Sequence, residues 1–157
     1  MPKLRTLASL SGPERNASLE AAIWLVVMRV LVAALPPRWW RGVLFADGPR
    51  QTSLDAGQLA AARIVRHAIA RGARNLPGSA KCLPQALAAR RMLARRGVMT
   101  SLHLGVAPGK GSPSFHAWLK AGDLFVTGDC DEAAYARFTP AAFPCRQPGS
   151  LASHHTK

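Results

Sequence analysis

The sequence predicts an α+β fold, with helices first and a small antiparallel sheet last. Three observations carry the prediction. Up to Gly97 the apolar residues recur at helical spacing or in one long run, between Pro and Gly breaks. From Thr100 the period changes to two, with Leu102, Leu104 and Val106 sharing one face. The 157 residues suffice for one domain around one core.

The first helix is expected to start at Ser18, ahead of Glu20, and to stop at the Pro36-Pro37 pair. Its apolar part, Ala21 to Leu35, spans only about 15 residues and contains Arg29, whereas a membrane span needs about 20. It is therefore expected to pack internally or against a partner. Because Arg38, Trp39, Trp40 and Arg41 follow, peripheral membrane contact is the other use for it. Trp39 to Phe45 is expected as a short helix or turn, and Ala46-Asp47-Gly48-Pro49 as a loop.

From a cap at Ser53 or Asp55, a second helix is expected to about Asn75, with Leu59, Ala62, Ile64, Val65, Ala68 and Ile69 inward and Arg63, Arg66 and Arg74 wet. Leu76-Pro77-Gly78-Ser79 ends it. The third helix is expected from Leu83 to Arg96, with Pro84 in its first turn and Gly97 as its stop. Strands are expected at Thr100–Val106, Phe115–Lys120 and Leu124–Thr127, with a loop at Ala107–Pro113 and a turn at Ala121-Gly122-Asp123. In domain terms, residues 1–17 read as a loose N-terminus, 18–143 as the domain and 144–157 as a disordered tail.

The formal net charge is +13, and between Ala56 and Gly122 there is no carboxylate. Such a region attracts an acidic partner: nucleic acid, an anionic membrane surface, an acidic peptide or an acidic protein. The plainer alternative is a set of Arg-rich helix faces simply left in water. No nucleic acid is expected, because there is no zinc-finger or RNP-type signature and the aromatics are not interleaved with the cations. Three cysteines, Cys82, Cys130 and Cys145, form no CxxC pair and argue against a disulfide framework or a zinc site. His154 and His155 lack a third ligand nearby, so neither metal nor cofactor is expected. Met1 to Arg15 is polar and lacks the apolar core of a secretory signal, which makes a reducing cytoplasm the expected compartment.

The candidate chemistry is a Cys-His-Asp triad. Cys82 opens a helix, where unpaired N–H groups and the positive dipole end favour a thiolate, and Lys81 adds a nearby cation. His116, on a strand face with Trp118 and Lys120, is the candidate base and then acid. Asp129 is the candidate orienter, with Asp131 and Asp123 as fallbacks. A hairpin pairing Lys120 with Phe125 would set Asp129 opposite His116, and a shorter loop would set Thr127 or Gly128 there instead. Against this stand plainer readings: packing for Cys130 and Cys145, a structural role for His103, and core or pocket wall for Trp118.

The run Cys82-Leu83-Pro84-x-Ala86-Leu87, the strand Leu102-His103-Leu104-Gly105-Val106, His116-Ala117-Trp118 and Val126-Thr127-Gly128-Asp129 together resemble the transglutaminase-like leader peptidases of lasso-peptide biosynthesis. With the apolar helix ending in Leu35-Pro36-Pro37, the resemblance covers about residues 18 to 143. It implies a stand-alone cysteine protease on a transglutaminase-type core, removing the leader of a ribosomally made precursor before an ATP-dependent cyclase closes the macrolactam. It also implies a small recognition protein that delivers the leader. On this resemblance the nucleophile is Cys82, the base His116 and the acid Asp129. Two departures are visible: no glutamine shortly before Cys82 completes an oxyanion hole, and the surface is unusually rich in arginine. An acyl transferase that passes the thioester to an amine is the alternative activity, and a non-catalytic basic nucleic-acid-binding module, suggested by the carboxylate-free stretch from Ala56 to Gly122, is the alternative of another class.

Overall fold

In a computed structural model, residues 10–36, 53–77, 81–108 and 113–137 are described. Among these residues three helices precede a four-stranded antiparallel sheet, so the α+β expectation stands. The segments 39–45 and 46–49, most of the loop after the first strand, and the tail 144–157 lie outside the described residues.

Helix α1 runs Gly12–Ala34, starting well before Ser18 and inside the stretch expected to be loose. The reason is a capping box. Ser11 N and Oγ both donate to the Glu14 carboxylate, at 3.1 and 2.7 Å, and these bonds hold Glu14 below the usual carboxylate range. Ser18 instead lies buried within the helix, donating to Glu14 O at 2.7 Å and accepting from Arg71 Nε at 3.2 Å. At 23 residues, α1 is long and apolar enough to cross a membrane by length and composition, which corrects the shorter span read from the sequence. One side of it is nevertheless packed, through Ala17, Ala21 and Leu25.

Helix α2, Ala56–Asn75, is capped by Asp55, which accepts from Gln58 N at 2.7 Å. Ala62, Val65, Ala68 and Ile69 are buried, as their spacing predicts. The α1–α2 crossing is close because Gly72 has no side chain: a Cβ there would come within 2.6 Å of Leu25 Cδ1. Helix α3, Cys82–Ala94, contributes Ala86, Leu87, Ala88, Ala89, Met92 and Leu93 to the core. It ends through Gly97, whose φ of +68° suits glycine, with Val98 N–H bonded to Leu93 O at 3.0 Å.

The strands are β1 (Ser101–Ala107), β2 (Ser114–Ala121), β3 (Leu124–Thr127) and β4 (Ala136–Arg137), in the spatial order β3-β2-β1-β4. A 3-10 turn at Glu132–Ala134 leads into β4, and neither that turn nor β4 is signalled by periodicity. Leu102 pairs with Leu119 and His103 with Trp118, so the two faces are distinct. Leu102, Ala117, Leu119, Ala121 and Val126 join the helices in one core. His103, His116, Trp118 and Lys120 occupy the other face, where Trp118 is wholly buried beneath Tyr135.

Register is where the structure departs from the simple hairpin. Ala121 pairs with Leu124 and Lys120 with Phe125, but a bulge then pairs Leu119 with Thr127. The shift of one residue removes the direct opposition of His116 and Asp129, and β3 ends there. Residues 114–118 of β2 consequently lie beyond the last β2–β3 pair.

Candidate active site

Cys82 is the first residue of α3 rather than a residue ahead of it, half-buried against the helix-side core. The first intrahelical bond is Gln85 N–H to Lys81 O at 3.4 Å, and Lys81 supplies no side-chain cap. Pro84 has no N–H to offer. The amide donors at this helix start are therefore those of Cys82 and Leu83, next to the sulfur.

His116 is held on three sides. Its ring stacks on Trp118, with centroids 6.0 Å apart, and tilts against Tyr135 at 5.3 Å. Its Nε2 lies 3.0 Å from Gly128 O. A carbonyl oxygen can only accept, so Nε2 carries the proton and, in the neutral ring, Nδ1 is the basic nitrogen. Gly128 has a φ of +69°, and a Cβ there would sit 3.0 Å from Trp118 Cα and collide with Ala117 O. Only glycine brings this carbonyl to the imidazole.

Asp129, mostly exposed, pairs with Arg66 at 3.5 Å rather than with His116. Arg66 also donates to Phe125 O at 2.9 Å, tying α2 to β3. Asp131 accepts from Ala133 N at 3.1 Å and caps the 3-10 turn, and Asp123 sits in the β2–β3 turn. His116 leaves β2 on the face opposite Ala117, while Cys82 packs on Ala117's side; among the described residues no hydrogen bond joins the thiol to the imidazole. A cleft of about 180 Å³, which neither Cys82 nor His116 lines, has a wall that includes Arg66, Gln85, Thr127, Gly128 and Asp129. Gln85 stands one helical turn from Cys82, and Thr127 Oγ1 is buried with no partner among the described residues.

Several residues here were not singled out from sequence. Glu132 accepts from Trp118 Nε1 at 3.2 Å, pairs with Lys120 at 3.1 Å and also binds Arg137. Burial raises its pKa, but the Lys120 bond and the charges of Lys120 and Arg137 outweigh it and hold the group below the usual carboxylate range. His103 stacks on Trp118 at 5.5 Å, in keeping with the structural reading. Burial, then Glu132, Asp129 and Asp131, push the Cys130 thiol up, which keeps it protonated at neutral pH. The legible signal for Gly128 was a glycine at a strand end, where bulges and left-handed residues concentrate.

A thiol at a helix start and, later in the chain, a histidine on an antiparallel sheet are parts that a thiol-dependent acyl transfer uses, and in this structure the two are not joined. The sequence model of the transglutaminase-like superfamily matches residues 22–142, and the chain belongs to that superfamily, whose members include cysteine proteases and acyltransferases. No curated protein and no solved structure matches it.

Proposed function

We propose that this chain is a cysteine protease that removes the leader from a ribosomally made lasso-peptide precursor, brought to it by a small recognition protein, before a cyclase closes the ring. The observation that carries the reading is the superfamily match across residues 22–142 with Cys82 at the helix start inside it. The resemblance of the surrounding motifs narrows it to leader removal.

In this reading His116 Nδ1 takes the Cys82 proton and the thiolate attacks the scissile carbonyl. The carbonyl electrons move to oxygen, facing the Cys82 and Leu83 amides. Collapse breaks the C–N bond, His116 returns its proton to the departing amine, and water hydrolyses the thioester. Because the imidazole and the thiol lie on opposite sides of β2, this reading requires His116 and Cys82 to approach one another when substrate binds. Asp129 is the acid that the resemblance assigns, and it would act by exchanging Arg66 for the imidazole.

The test is incubation with precursor and recognition protein, followed by mass spectrometry of the products. Leader release with gain of one water is expected, and its loss in Cys82→Ala by at least about 10³-fold. Gain of an amine in place of water would convert the reading to acyl transfer, and undiminished cleavage in Cys82→Ala would remove that residue from the mechanism.

A further inference from the structure

The outward side of α1 is a surface without a partner in the described fold. Leu19, Ile23, Val26, Val27, Val30 and Leu31 follow one another at three- and four-residue spacing along it. They are between 36% and 62% exposed, a continuous apolar stripe of the kind that marks an interaction face. We propose that this stripe seats on an anionic lipid surface, with α1 lying in the plane of the interface.

Lying flat follows from how α1 is held. Its inner side is fixed by Ala17, Ala21 and Leu25, Arg29 donates to Pro77 O at 2.6 Å, and Glu20 pairs with Arg96 at 2.6 Å. A helix tied to the domain along its length presents one face to lipid and cannot thread through it. Charge selects the lipid. The only carboxylate between Leu19 and Leu35, Glu20, is taken up by Arg95 and Arg96, and the chain carries +13 overall. The sequence continues from Pro36-Pro37 into Arg38, Trp39, Trp40 and Arg41, residue types that favour the headgroup boundary. The same charge opposes a second copy as the occupant, since two strongly cationic surfaces would be pressed together.

The experiment is co-sedimentation of the full chain with vesicles of phosphatidylcholine alone or with roughly one-third phosphatidylglycerol. Partition into the anionic vesicles is expected to exceed that into neutral ones by at least about tenfold, and to weaken as salt rises. Val26→Glu with Val30→Glu is expected to lower it by at least about tenfold, because both side chains are exposed and glutamate is a good helix former. Circular dichroism checks that the double variant folds, and the lipid and salt series tests the idea on the unaltered chain. Equal partition into both lipids, no partition, undiminished partition in the folded double variant, or self-association without vesicle binding each overturns it.

Discussion

Replacing Gly128 by alanine tests the packing that brings a carbonyl to His116, and Gly97 provides its control. Both glycines have nearly the same backbone, with φ of +69° and +68°. Around Gly97 a Cβ meets nothing within 4 Å, whereas at Gly128 it collides with Ala117 O and lies 3.0 Å from Trp118 Cα and Cβ. Gly97→Ala therefore incurs only the left-handed backbone cost, about 1 kcal/mol, or roughly 2–4 °C in Tm for a domain of this size. Gly128→Ala incurs that cost plus overpacking of about 1–3 kcal/mol, because the colliding atoms are backbone and a buried Trp. Its stability loss should total about 2–4 kcal/mol. Urea denaturation, with m unchanged, reads the difference directly. Leader release should fall further in Gly128→Ala than its folded fraction explains and stay unchanged in Gly97→Ala, since only the first moves the His116 acceptor. Equal destabilisation by the two substitutions would refute the close approach at Gly128.

Two more substitutions separate positioning from charge. Asp129→Asn breaks a largely exposed pair with Arg66, so stability should change by less than about 1 kcal/mol. With Gly128 O already accepting from Nε2, leader release should drop by less than about tenfold. A loss near 10⁴-fold would show that Asp129 leaves Arg66 to orient the ring. Glu132→Gln tests the clamp beneath the imidazole. Because the folded pKa of Glu132 lies below its unfolded value, its contribution is complete above the unfolded carboxylate range near 4.3 and is lost as pH falls through the lower folded value. Urea midpoints measured from pH 6 down to pH 3 should fall more steeply for the unaltered chain than for Glu132→Gln; parallel profiles would remove Glu132 as an ionic clamp.

The helices were legible because their signals are local. Asp55, one of the two caps read, the apolar spacing from Ala62 to Ile69, and Gly97 after α3 each act within a turn or two, and the structure uses them. The start of α1 was missed because Ser18 ahead of an apolar run looked like a cap, while the reciprocal Ser11 and Glu14 pair, spaced three apart, is what satisfies the first amides. β1, β2 and β3 were placed to within a residue at each end, β1 by its alternation. What alternation could not carry was the bulge, since Leu124, Phe125 and Val126 are all apolar and a one-residue slip leaves that run looking the same. Glu132 and Tyr135 were invisible for a different reason: their roles come from a turn and a two-residue strand that return under Trp118, and such returns leave no periodic trace.

That bulge has a consequence for chemistry as well as for register. Without it, β3 would continue beside His116 and offer the Asp129 carboxylate directly across the ladder, on a strand that also closed the edge of β2. With it, the ladder stops at Leu119 and Thr127, Gly128 turns left-handed against Trp118, and a backbone carbonyl meets the imidazole instead. A carbonyl fixes the tautomer without adding negative charge, so it orients the base while stabilising the imidazolium less than a carboxylate would. Under the proposed function, the helix-start amides beside Cys82 would then carry more of the stabilisation of developing charge, and the Asp129→Asn and Gly128→Ala variants distinguish that arrangement from one in which the carboxylate does that work.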